Sequence, residues 1–185
     1  MIKLSEFKKL KPKEIDTCNK ESFESFLKCI EPVLPNFPEN ILQHWVYRHF
    51  DFFCSDFWWL GYDKLSFRKE KFNKEQILSI QSKKMEMINA FSAGFLSPDS
   101  GQRKSYLGQY MWEKKLWPEP IIVLDVINSN LMSSKKVCKP FHLLEGHMRL
   151  SYMRALIQES FQDVPDEHEV WIATREIKDR PYTSQ

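Results

Sequence analysis

Five consecutive residues carry the clearest chemistry in this chain: Glu145, Gly146, His147, Met148 and Arg149. They follow the apolar run Phe141 to Leu144 and precede a stretch with helical apolar spacing, so they read as a turn from a strand into a helix. A helix start carries backbone N–H groups with no carbonyl partner, and the helix dipole adds partial positive charge there. Phosphate and other anions settle readily at such a place. Gly146 removes the Cβ where a ligand or a tight turn would collide with one. His147 and Arg149 add side-chain donors, and the guanidinium fork matches phosphate geometry. Arg149 projects from the first turn and has two destinations. It meets a ligand phosphate, or it pairs with a carboxylate such as Glu145 or Asp125, which locks the turn and leaves a helix tip without a ligand.

The elements that must position these residues are legible around them. The run I-I-V-L-D-V (121–126) has the continuous β-branched character of a strand buried on both faces. F-H-L-L (141–144) is a second strand, and E-V-W-I-A-T (169–174) a third. The helix between them spans 146–160. Leu150, Met153, Leu156 and Ile157 share the arc that packs on the sheet, and His147, Ser151, Arg154 and Gln158 fall opposite, on the solvent or ligand side. The order β-β-α-β predicts a small mixed sheet with the helix on one face, hence an α+β fold.

The first 117 residues read as helical and are expected to pack on that sheet. Residues 1–19 are Lys-rich and weakly patterned, the mark of a solvated arm. Phe23, Phe26, Leu27 and Ile30 recur at helical spacing and stop before Pro32. Asn36 and Glu39 form a capping box for a helix over 36–53. Its polar side carries His44, Tyr47, Arg48 and Asp51, a binding surface or a plain solvated face. The stretch 52–62 is dense in rings (Phe52, Phe53, Phe57, Trp58, Trp59, Tyr62), which suits a packing seam first, and otherwise a protein-partner interface or a base-stacking platform. Asn73 and Gln76 cap a further helix through Ile77, Ile80, Ile88 and Phe91. S-A-G-F-L-S-P-D-S-G (92–101) is a loop, and a helix with Tyr106, Leu107, Tyr110 and Met111 on one face stops before Pro118. The expected organisation is a helical region 1–117, an α+β core 118–175 and a tail 176–185, in one compact unit.

Composition excludes several classes. In 185 residues, 42% hydrophobic with 14% aromatic supplies a real core rather than a disordered chain. A net charge of +2 gives no global drive toward nucleic acid or membrane. No apolar run has the length of a membrane span and the N-terminus lacks a signal-peptide core, so a cytoplasmic location is expected. Four cysteines (Cys18, Cys29, Cys54, Cys138) are scattered without a C-x-x-C pair, and no metal cage is expected.

The segments E-P-I-I-V-L-D-V, P-F-H-L-L-E-G-H-M-R-L-S-Y-M-R-A-L and E-V-W-I-A-T together resemble the core of the ParB/sulfiredoxin-like superfamily, over roughly residues 118–175. That resemblance implies nucleotide binding at the turn, with Gly146, His147, Met148 and Arg149 at the phosphates of a nucleoside triphosphate carrying Mg2+. Glu145 would lie near the magnesium or orient the turn, and Glu145 and His147 would be the catalytic candidates of a phosphotransferase or nucleotidase. The departures narrow this. Sulfiredoxins place a cysteine directly after the glycine, where this chain has His147 and its nearest cysteine is Cys138. ParB clamps carry Gly-Glu-Arg-Arg, where this chain has His147 and Met148 in the middle. The kinase-type Asp-Gly-His-His-Arg differs at Glu145 and Met148, and no general base for a substrate hydroxyl is evident. Two other readings stand beside it. One is a non-catalytic interaction protein that keeps the fold and binds a protein partner through 52–62. The other is a nucleic-acid-processing protein, for which Glu145 and Asp125 are the only carboxylate pair in view.

Overall fold

The computed structural model describes residues 2–14, 20–159 and 163–176. The chain forms two compact units, one reaching Phe67 and taking up the chain again from Arg175, the other spanning Arg68–Thr174.

The first unit is built on aromatic packing. Phe7 is fully buried, with ring centroids 5.2 Å from Phe50, 5.8 Å from Phe53, 4.8 Å from Trp58 and 6.1 Å from Tyr62. The Lys-rich start is therefore not a solvated arm over its described residues. Its one ring closes the core, and the lysines around it face outward. Helix α1 (Phe23–Ile30) forms as its spacing predicts and is capped by Ser22, whose Oγ accepts from Ser25 N at 3.2 Å.

The predicted helix 36–53 is broken. Asn36 does not cap it, because its Nδ2 donates instead to the carbonyls of Tyr62 (2.8 Å) and Leu65 (2.6 Å). Glu39–Ile41 leads into a π-helical turn (Leu42–Tyr47), and His49 then leaves helical geometry at φ −127°, ψ 39°. A short helix (Phe50–Phe52) follows, then a second π-helical turn (Phe53–Phe57). These irregular turns bring Trp45, Phe53 and Phe57 together, at centroid distances of 5.0 and 5.4 Å from Trp45. The aromatic stretch 52–62 is thus turned into this unit's interior for the most part. Of its rings, Phe52 is the one that stands well exposed, at 56%.

The second unit carries a five-stranded mixed sheet in the order β1-β5-β3-β4-β2. The strands are β1 (Leu65–Asn73, entering this unit at Arg68), β2 (Ile80–Gln81), β3 (Ile121–Asp125), β4 (Phe141–Glu145) and β5 (Glu167–Arg175). β3 is antiparallel to β4 and parallel to β5, and β2 runs parallel to β4 with Ile80 opposite Phe141. All five residues of β3 are buried, as its continuous apolar run requires.

Among the described residues, four helices, α2 (Lys74–Ser79), α3 (Met85–Leu96), α4 (Tyr106–Lys114) and α5 (His147–Gln158), and one four-residue helix, Gly101–Lys104, accompany the sheet. The Asn73–Gln76 capping box forms in both directions, at 2.8 and 2.9 Å. The helix it opens ends at Ser79, because Ile80 is taken into the sheet beside β4; the helix expected to run from Ile77 to Phe91 is therefore two. α3 also continues to Leu96, so the loop expected over 92–101 shrinks to residues 97–100. Among the described residues, no helix is long and apolar enough to cross a membrane.

Candidate functional site

β4 ends at Glu145, Gly146 makes the turn, and α5 begins at His147, the strand–turn–helix expected there. Gly146 has φ +101°, and a Cβ placed on it would lie 2.5 Å from Ile121 Cγ2. The glycine is fixed by the close approach of β3 and by its left-handed backbone. It also leaves the helix start without a capping side chain, the first intrahelical bond being Leu150 N–H to Gly146 O at 2.8 Å.

Arg149 takes the second of its two destinations. It is 7% exposed, and its Nη1 donates to the carbonyl oxygens of Glu119 (2.7 Å) and Pro120 (3.0 Å). Its Nη2 donates to Glu145 Oε2 as a buried ion pair. The guanidinium therefore ties the lead-in of β3 to the turn, and does not point to where a phosphate would sit. Glu145, 9% exposed, is held in the same pair and is not placed as a general base.

His147 is half-buried, its Nε2 3.5 Å from Ser82 Oγ, and Met148 is 38% exposed. Ser82 sits between β2 and α3, where its Oγ accepts from Lys84 N at 3.1 Å. Next to it Lys83 is exposed, and its charge reaches His142 as that of His147 does. Sequence reading missed Ser82 and Lys83 as neighbours of the turn. They lie some 65 positions from His147, too far along the chain for any local pattern to link them to it.

The face of α5 expected to meet solvent is covered at Ser151, while His147 and Arg154 are half-buried and Gln158 is exposed as expected. Ser151 is fully buried, with its backbone carbonyl accepting from Ser92 Oγ on α3 at 2.7 Å. Arg154 donates to Leu78 O at 2.6 Å, and Tyr152 stacks on Phe95 at 4.4 Å and 12°. α5 is packed on more than one side, with Met148 in its first turn and Gln158 in its last exposed to solvent.

Asp125 lies at the far end of β3. The register puts Phe141 beside Asp125 and Ile122 beside Glu145, so the two carboxylates do not meet. Asp125 accepts from Asn128 N (2.9 Å) and Nδ2 (2.6 Å), closing the turn after β3. Among the described residues no group of three or more His, Cys, Asp or Glu is placed to hold a metal ion. The donor set at the turn does not fit a protein-held magnesium, since Glu145 is paired with Arg149 and Asp125 is remote.

His142, on β4, is buried, which pushes its pKa down to about 4, with the charges of Lys83 and His147 adding to the fall. Its Nδ1 faces Cys138 N at 3.2 Å, a bond that the neutral ring accepts.

Comparisons of the chain with models of known protein families, with curated proteins and with solved structures found no match.

Proposed function

We propose that this chain binds a phosphate-bearing ligand, a nucleotide by its resemblance to the ParB/sulfiredoxin-like superfamily, at the start of α5. The observation that carries the reading is the helix opening at Gly146: a left-handed glycine without a capping side chain, beside half-buried His147 and exposed Met148. The backbone at His147 and Met148 and the His147 ring are the contacts assigned to phosphate, with Ser82 and Lys83 alongside. Arg149 and Glu145 are architectural, in contrast to the phosphate and catalytic roles the resemblance implies for them. Any magnesium would arrive with the nucleotide, and no turnover step is assigned, because Glu145, the carboxylate at the turn among the described residues, is engaged by Arg149.

Thermal shift with ATP, ADP and CTP tests the reading. Stabilisation by at least one nucleotide that is lost in His147→Ala supports it; no stabilisation by any of them overturns it.

One observation favours a second reading, a non-catalytic protein that keeps the fold. Arg149 is engaged by three protein acceptors, which is how a turn is locked when no ligand is needed. On that reading no nucleotide stabilises the chain, and a partner co-purifies with it.

A further inference from the structure

A cavity of about 190 Å³ opens in the first unit, lined by Lys11, Pro12, Lys20, Arg48, His49, Phe50, Asp51 and Phe52. Among the described lining residues three are cationic and one, Asp51, is a carboxylate that Lys11 holds at 2.8 Å; Glu14, bridged to Lys20 through the backbone, also acts on Lys11. Arg48 is exposed, and Lys20 lies over the Tyr47 ring at 5.9 Å. Among the described lining side chains, cations outnumber carboxylates, in a chain whose net charge is only +2.

The backbone that builds the hollow is unusual. Arg48 to Phe52 stand between the two π-helical turns, Leu42–Tyr47 and Phe53–Phe57, with the non-helical His49 among them. π-helical turns re-aim side chains and recur at functional sites. Here the interruption buries Phe50 and leaves Phe52 exposed at the rim. A large exposed ring beside cations is a wall for a flat ligand body.

We infer that this hollow binds a small phosphate monoester, its dianion held by Arg48 and Lys20 and its body against Phe52. The volume favours a compact molecule, being below the roughly 300 Å³ at which drug-sized ligand pockets begin. Arg48 supplies the bidentate fork and Lys20 the second charge. Tyr47 does not contribute its hydroxyl, which donates to Glu21 O. The inference is independent of the α5 site.

The test is a titration of the 15N-labelled full chain with phenyl phosphate, inorganic phosphate and sulfate, followed by amide shifts. Saturable shifts at residues 11, 20 and 48–52, tighter for phenyl phosphate than for the inorganic ions, are expected. Arg48→Glu should weaken that binding by at least about tenfold while leaving the rest of the spectrum in place, since the side chain is exposed. His147→Ala should leave it unchanged. No saturable shift, equal shifts for all three anions, or shifts confined to residues 146–149 would overturn the inference.

Discussion

Arg149 reaches back across the turn at Gly146 to pair with Glu145, one helical turn before it in sequence, and the pair is buried. Its other nitrogen gathers the carbonyls of Glu119 and Pro120, so one side chain joins β3, β4 and α5. Removing one partner leaves the other charge buried and alone, at a cost of about 3–5 kcal/mol. Arg149→Ala and Glu145→Ala should each lose about that much stability in urea unfolding. The double substitution, Arg149→Ala with Glu145→Ala, should lose less than the two single changes added together. Additive losses would show that the pair does not act as a unit.

Gly146→Ala should destabilise by about 2–4 kcal/mol, combining a positive φ with the collision against Ile121. Ile121→Ala removes the Cγ2 that collides. It is costly in its own right because Ile121 is fully buried, but the double variant should be more stable than the sum of the two losses. Urea unfolding of the four proteins in the cycle measures this, and strict additivity would deny the contact its role.

His142 sets a pH dependence whose sign follows from its lowered pKa. The unfolded chain takes up the proton near the ordinary value of 6.5, while the folded chain resists until about 4. Stability contributed by the neutral ring is complete above about pH 6.5 and is lost as pH falls toward 4, by about 3 kcal/mol. Burial lowers the pKa of His168 as well, so it acts in the same direction. Unfolding free energies measured from pH 7.5 to 4.5 should fall, and the fall should be shallower in His142→Gln. A variant with an unchanged slope would remove His142 from the account.

In the first unit, Phe7→Ala should cost about 3–5 kcal/mol, because the ring is fully buried against four others. Phe52→Ser, at an exposed position, should change stability by no more than about 0.5 kcal/mol. A comparison of their thermal unfolding midpoints checks both, and similar losses at the two positions would contradict the packing described.

The strands β3, β4 and β5 were legible because buried strands announce themselves as β-branched and apolar runs. β1 was not, since Arg68, Lys69, Glu70 and Lys71 place charges where a half-buried strand would alternate. Part of that charge is answered by β5: Lys69 meets Glu169 at 3.4 Å and Lys71 meets Glu167 at 3.3 Å. β2 exists only by pairing with β4, so Ile80 fitted a helical pattern equally well alone. At the site, the turn and its glycine could be read locally. The direction of Arg149 could only be posed as two alternatives, since its carbonyl acceptors lie 29 and 30 positions away. The burial of Ser151 depends on α3, which no local pattern encodes. The expected tail beyond residue 176 and Cys18 lie outside the described residues.

The claim on which the functional account rests is that the start of α5 receives phosphate, and backbone amide shifts read it most directly. On titration of the 15N-labelled chain with ATP, the His147 and Met148 amides should move in a saturable way, and His147→Ala should weaken the response. Amides at His147 and Met148 that stay in place at saturating nucleotide would contradict the account.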